Sequence, residues 1–295
     1  MRFKATVDNV NIFYRIAQAM EKLQKRCIIR FGEEEMHIIC NNGVSDGSIQ
    51  VWSQIKVPSL FSNYRIQSNA GNQITLALST EALLAALRSA ATPAGASAPL
   101  AADAEVILRL AKKDDQAVLS VHISGTTRMG RAVLVSHDVR IEVLKPQDAG
   151  RLREPMCPEP EVHILLPPLA KLRTVVERLR PLADEVVAIY ANNAGSVKIC
   201  AQTESARVDV MWKGLQNPGK SASDPEDEPH DPEQMHGVLV SLKSLQKFLS
   251  SHVVSTTTIA CICKGHCIIL YVYIGEVADS GGVLTFYIPA IIDAI

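Results

Sequence analysis

The chain has 295 residues, 47% of them hydrophobic and 21% charged, with 30 Lys and Arg against 31 Asp and Glu for a net charge of −1. That length fits about two domains of about 150 residues, each able to bury its own core; the balanced charge announces no nucleic-acid partner, and no apolar run approaches the roughly 18 residues of a membrane span. Seven scattered cysteines, an odd number, and an opening Met1-Arg2-Phe3-Lys4 that runs straight into structure point to a reducing compartment without a signal peptide.

In chain order the pattern predicts a strand over Arg2–Val7, a helix over Asn9–Lys25, and strands over Cys27–Phe31 and Met36–Cys40 around a turn at Gly32–Glu35. Strands over Gly47–Gln54 and Gln73–Leu78 come next. Leu83, Leu84 and Leu87 place a second helix over Ser79–Ala91, and the Ala/Pro-rich stretch Thr92–Ala102 reads as a loop. Three strands follow, the last with Val133, Val135, Val139, Ile141 and Val143 on one face. The proline-bearing segment Lys145–Pro160 reads as a connector between domains 1–144 and 161–295.

After the connector the pattern restarts. Val162-His163-Ile164-Leu165 stands where Arg2-Phe3-Lys4-Ala5 stood, Val187–Tyr190 answers Ile28–Phe31 across a helix over Pro167–Pro181, and Ser241, Leu245 and Leu249 answer Ser79, Leu83 and Leu87. All three correspondences sit roughly 160 residues apart. Each half has two helices among several antiparallel strands, too few helices to cover both faces of a sheet, which predicts an α+β fold of two similar domains. Residues 218–235 hold six acidic residues and several prolines, a composition that favours disorder. Ser221 and Ser223 within it stand near acidic groups as candidate phosphorylation sites.

The stretch Cys261-Ile262-Cys263-Lys264-Gly265-His266-Cys267 has zinc-like composition, but zinc needs four converging ligands. Lys264-Gly265 reads as a two-residue hairpin turn, which pairs Cys263 with His266 and Ile262 with Cys267 and puts Cys267 on the face opposite the other candidates. No metal site is expected there.

Charge is distributed unevenly. The helical segments Asn9–Arg26, Ser79–Ala91, Pro167–Pro181 and Ser241–His252 carry +3, 0, +3 and +2, so the remainder of the chain carries −9. Solvation alone predicts mixed signs on a helix face. These helices hold only Glu21, Glu81 and Glu177 as acids, whereas Arg15, Lys22, Lys25, Arg88, Lys171, Arg173, Arg178, Arg180, Lys243 and Lys247 fall off the apolar stripes, as a phosphate-facing surface requires. Enzyme signatures are missing: Gly125 and Gly130 have phosphate-loop spacing but Arg131-Ala132 replace the Lys-Ser/Thr pair. Glu33-Glu34-Glu35 occupy a turn where nothing would raise a carboxyl pKa for acid catalysis. No catalytic residue and no cofactor are expected.

Six segments, MRFKATV at the start, HIICNNG at His37–Gly43, VSHDVRIEVL at Val135–Leu144, PEPEVHILLPPLAKLRTVVERL over Pro158–Leu179, GLQNP at Gly214–Pro218 and FYIPAI at Phe286–Ile291, together resemble the Hus-one-type subunit of the 9-1-1 checkpoint clamp, a family in the PCNA-like clamp superfamily. The resemblance implies a PCNA-like DNA clamp in which each domain has antiparallel sheets and two helices lining the interior of a ring. It implies a non-enzymatic subunit of a heterotrimer that encircles DNA and serves as a platform in DNA-damage signalling and repair. Implied partners are two sister subunits, double-stranded DNA, an ATP-dependent clamp loader, and repair and signalling proteins. No membrane is involved, and the expected address is the nucleus with a cytoplasmic pool. On this pattern the basic residues above face DNA. Val133, Val135 and Val139, with Ser205, Arg207, Val208, Val210 and Trp212, belong to the strands through which subunits pair, and Met156, Cys157 and Pro158 lie where partner peptides dock. A homotrimeric replication clamp and a peptide-binding scaffold that never encircles DNA are the alternatives.

Overall fold

A computed structural model of the chain describes residues 1–41, 48–91, 104–126, 130–182, 185–218, 231–255, 257–275 and 280–291. The predicted loop Thr92–Ala102 and most of the acidic segment 218–235, with Ser221 and Ser223, lie outside the described residues. The chain divides into two units, the first mainly Met1–Cys40 and Trp52–Glu154, the second mainly Pro155–Ala278 and Leu284–Ile295.

The first unit runs β1 (Arg2–Val7), α1 (Val10–Leu23), β2 (Arg26–Phe31), β3 (Glu35–Cys40), β4 (Gln50–Lys56), α2 (Val57–Leu60), β5 (Phe61–Gln67), β6 (Ile74–Ser79), α3 (Thr80–Arg88), β7 (Glu105–Lys113), β8 (Gln116–Thr126), β9 (Ala132–Val143) and the single turn α4 (Pro146–Ala149). Strands order as β5-β1-β7-β8-β9 and as β4-β3-β2-β6, and β6 also pairs with the end of β9 at Leu76–Leu78 against Ile141–Val143. Period-two burial makes these strands: Phe3, Ala5 and Val7 point inward from β1, and Cys27, Ile29 and Phe31 from β2. Phe3 and Phe31 meet with ring centroids 4.3 Å apart. Helix α1 buries Phe13, Ile16, Met20 and Leu23 on one stripe, and Met20 Sδ accepts the Cys40 thiol of β3 at 3.6 Å.

The second unit repeats that order, without counterparts of α2 and β5 among the described residues, as β10 (Val162–Leu165), α5 (Leu169–Leu179), β11 (Val186–Ala191), β12 (Val197–Gln202), β13 (Arg207–Trp212), β14 (His236–Ser241), α6 (Leu242–Leu249), β15 (Thr258–Cys263), β16 (Cys267–Ile274) and β17 (Gly282–Pro289). Its sheets are β10-β15-β16-β17 and β13-β12-β11-β14. The serines that marked the repeat do the same work in both halves: Ser79 Oγ accepts from Ala82 N at the start of α3, and Ser241 Oγ accepts from Ser244 N at the start of α6. Each satisfies one of the donors that a helix N-terminus leaves unpaired. Helix α6 packs Phe248 edge-on against Phe286 of β17 at 5.1 Å, and full burial of such a ring stabilises by about 1.5–3 kcal/mol.

Three expectations are corrected. Helix α1 ends at Leu23, so Lys25 lies in the bend before β2, where its carbonyl accepts from Thr80 N at 3.0 Å; the β-branched run from Cys27 outcompetes helix propagation there. The interval between Gln54 and Gln73 holds α2 and β5. The hairpin of β15 and β16 is one residue out of the predicted register: Cys263 pairs with Cys267 and Ile262 with Ile268. Its loop is Lys264-Gly265-His266, in which His266 N donates to the Cys263 carbonyl at 3.0 Å and Gly265, at φ +67°, takes the left-handed third position of that turn. Cys261, Cys263 and Cys267 therefore share one face, and His266 stands in the loop.

Candidate nucleic-acid interface and pairing edges

Helices α1 and α3 pack together in the first unit, and α5 and α6 in the second. The basic residues are held on these four helices or at their ends by the burial of the opposite stripes. Leu169, Leu172, Val176 and Leu179 turn inward from α5, leaving Lys171, Arg173 and Arg178 exposed, with Arg180 in the following turn. Leu245, Phe248 and Leu249 do the same in α6, where Lys243 is exposed and Lys247 half-buried, four residues apart on one face. Arg15, Lys22 and Arg88 are exposed on α1 and α3. Each helix also carries a basic residue in its last turn, Lys22, Arg88, Arg178 and Lys247, which favours the helix dipole independently of any ligand.

Local pairing sorts these cations. Lys22 lies 3.0 Å from Glu21, and Arg173 Nε donates to Glu177 at 2.8 Å while its Nη1 sits 3.4 Å from His252 Nε2. Arg15, Arg88, Lys171, Arg178, Lys243 and Lys247 form no ion pair among the described residues, so their charge is available to an external anion. His252, which spacing did not reveal, joins the basic face of α5 only through folding.

Among the described residues strand β13 is terminal in its sheet and pairs only with β12, through Val197–Gln202 against Arg207–Trp212. It alternates exposed and half-buried, with Val208, Val210 and Trp212 on the half-buried face; Ser205 precedes the strand, and Arg207 Nε donates to Asp209 at 3.2 Å. Strand β9 pairs with β8 from Ala132 to Arg140 and meets β6 only from Ile141 on, leaving the edge from Ala132 to Arg140 without a partner strand in its unit among the described residues. Val133 and Val135 are half-buried and Val139 is buried. Sequence reasoning missed Leu134 and Met211, 77% and 45% exposed, which stand on the opposite faces of these two edge strands. Their signal was an apolar residue at an outward position of an alternating strand.

The connector begins with α4, beside a cleft of about 300 Å³ lined by Arg30, Thr75, Leu144, Pro146 and Ala149; Arg30 Nη2 donates to the Ala149 carbonyl at 3.1 Å. Met156, Cys157 and Pro158 are not part of this cleft. Met156 is 94% exposed and Pro158 exposed, whereas Cys157 is half-buried against the β15–β16 hairpin. There the Cys267 thiol lies 3.4 Å from Cys157 Sγ, and the Cys263 thiol donates to the Pro158 carbonyl at 3.4 Å. A hydrogen bond from Cys267 lowers the Cys263 pKa and, with burial, raises that of Cys267. Burial pushes Cys27 up to about 12, which makes it an inert core thiol.

The Hus1-like protein family model matches residues 1–292. Checkpoint protein hus1 of Schizosaccharomyces pombe is 35% identical, covering 99% of this chain and 100% of its own. Checkpoint protein HUS1 of Homo sapiens is 27% identical over 88% of this chain and 90% of its own. Among solved structures, proliferating cellular nuclear antigen from Entamoeba histolytica superposes with a TM-score of 0.70 at 15% identity, covering 98% of this chain and 99% of the other. The fold is therefore that of the PCNA-like clamps. Among the described residues no helix is long and apolar enough to cross a membrane.

Proposed function

The chain belongs to the Hus1-like protein family, and from that premise we propose that it is one subunit of a heterotrimeric checkpoint clamp that encircles double-stranded DNA in the nucleus. The observation that carries this reading is a match to checkpoint proteins along nearly the whole chain, joined to a clamp fold that repeats itself within the chain.

In this reading residues 1–144 and 161–295 are the two clamp domains and 145–160 joins them. Arg15, Lys22, Arg88, Lys171, Arg173, Arg178, Arg180, Lys243 and Lys247 present positive charge to phosphates, with Lys25 contributing from the bend beyond α1. A clamp holds DNA by enclosure, so these contacts need only be loose and sequence-independent, which suits flexible exposed side chains on helix faces. Strands β13 and β9 add to the edge strands of the two sister subunits, using backbone hydrogen bonds for affinity and side chains such as Val208, Val210, Val133 and Val135 for register. Met156 to Pro158 receive peptide segments of repair and signalling proteins, and an ATP-dependent loader opens the ring. The subunit works by position and catalyses nothing. Co-expression with candidate sister subunits followed by native mass measurement tests the reading: a 1:1:1 trimer is expected, and a stable homotrimer of this chain alone would overturn it.

A further inference from the structure

The corrected hairpin register brings together side chains that the predicted register kept apart. One ligand atom from each of Cys157, His266 and Cys267 lies within 4.8 Å of the other two; Cys263, paired with Cys267 across the strands, directs its thiol to the Pro158 carbonyl instead. In a tetrahedral zinc site with Zn–S near 2.3 Å and Zn–N near 2.0 Å, ligand atoms stand about 3.5–3.8 Å apart. The 3.4 Å separation of the Cys157 and Cys267 sulfurs falls close to that spacing, well beyond the roughly 2.05 Å of a disulfide.

The frame around these atoms is fixed from several sides. The loop closes on itself through His266 N donating to the Cys263 carbonyl at 3.0 Å, and Ala290 N donates to the His266 carbonyl at 2.8 Å. Lys264 N donates to Glu161 Oε2 at 2.8 Å, and Glu161 N to the Ile262 carbonyl at 3.0 Å, which ties the chain just after the connector to the same hairpin. Cys263 and Cys267 are buried, Cys157 is half-buried and His266 is exposed, so the cluster has a dry floor and an open side through which an ion can enter.

We propose that Cys157, His266 and Cys267, with water in the fourth position, form a zinc site that staples the connector to the β15–β16 hairpin. Thiolate and imidazole donors in a reducing compartment select zinc over the oxygen-seeking calcium and magnesium. The site's three protein donors come from the connector and from the hairpin, so its role is to hold the two together. It anchors the proposed docking segment through its half-buried Cys157, leaving the exposed side chains of Met156 and Pro158 to meet a peptide; this part rests on the docking reading above. Binding displaces the thiol protons to solvent as the ligands become thiolates, without any redox change.

The test uses the full chain purified under reducing conditions without chelator. Elemental analysis is expected to give about one zinc per chain, and replacement by cobalt(II) is expected to give the strong visible bands of tetrahedral thiolate coordination. Cys157→Ser and His266→Asn alter half-buried and exposed positions and so leave the fold intact by circular dichroism. Each is expected to weaken zinc binding by more than the roughly 10–100-fold that loss of an outer-shell partner costs. Chelation should lower the melting temperature of the wild-type chain and leave that of Cys157→Ser unchanged. A chain purified without stoichiometric metal that also fails to bind added zinc or cobalt would overturn the proposal. So would a cobalt spectrum unaffected by both substitutions, or a Cys157–Cys267 disulfide formed in place of metal binding.

Discussion

Reversing charge at Lys171, Arg173, Lys243 and Lys247, each to Glu, separates the proposed DNA-facing surface from the core beneath it. The inward residues Leu172, Val176, Leu245 and Phe248 are untouched, so the folding cost is confined to the helix surfaces. Losing the Arg173–Glu177 pair costs about 0.3–0.5 kcal/mol. Lys243→Glu favours the dipole in the first turn of α6 and Lys247→Glu opposes it in the last, each by about 0.3–1 kcal/mol, and these offset one another. The variant should therefore fold and assemble. Arg173 is shared with Glu177, whereas the other three have no carboxylate partner among the described residues, so about three full phosphate contacts are at stake. At about 0.9 per contact, the slope of log affinity against log salt should flatten by up to about 2.7, and a fourfold rise in salt should cost the wild type up to about 40-fold more affinity than the variant. Fluorescence anisotropy of the assembled clamp on duplex DNA across a salt series reads both quantities. A folded, assembled variant with unchanged affinity and unchanged slope would refute the assignment of α5 and α6 to the DNA side.

Further expectations follow from single contacts. Val208→Asp with Val210→Asp should abolish pairing through β13 while leaving a folded monomer, because a charge on the half-buried face of an edge strand opposes strand addition; size-exclusion chromatography with light scattering would show a persisting trimer if the edge is misassigned. Gly195 has φ +80°, and a Cβ there would stand 2.3 Å from the Leu215 carbonyl oxygen, so Gly195→Ala should cost about 2–3 kcal/mol and lower the melting temperature by several degrees in a thermal scan. Asp138 accepts from Ser120 Oγ at 2.6 Å and pairs with Lys113, and these bonds depress its pKa. Its stabilisation is thus complete above the unfolded carboxylate pKa of about 3.9 and is lost as pH falls through the lower folded value. Asp138 is exposed, so solvent screening holds the loss in Asp138→Asn to about 0.5 kcal/mol near neutrality, and denaturant titrations should show the difference vanish in strong acid.

What the sequence displayed, and what it hid, divides along physical lines. Helices α1, α3, α5 and α6 were legible because each buries one continuous stripe, and the repeat was legible because Ser79 and Ser241 cap equivalent helices. Strand β5 was not legible: Phe61-Ser-Asn-Tyr-Arg-Ile-Gln67 is largely polar, and Asn63 at φ 47° sits in an irregularity where the register with β1 shifts between Lys4 and Thr6. The hairpin register was misread because Lys264-Gly265 resembles a two-residue turn, whereas Gly265 serves as the left-handed member of a three-residue loop. One residue of slip exchanges strand faces, so the convergence of Cys157, His266 and Cys267 could not be seen. Cys157 is also more than a hundred residues from its neighbours, a proximity that only folding creates. The basic faces were visible as charge, but the capture of Arg173 by Glu177 and His252 depends on rotamers and a tertiary contact.

Enclosure of DNA has a topological signature that affinity lacks. The chain, assembled with its sister subunits and loaded by the ATP-dependent loader onto nicked circular plasmid, should remain with the DNA through gel filtration in salt high enough to remove non-specific binding. Linearising the plasmid with a restriction enzyme should then release the clamp, because a ring can slide off an end. Equal retention on circular and linear DNA, or retention on neither, would mean that the assembled protein does not encircle the duplex.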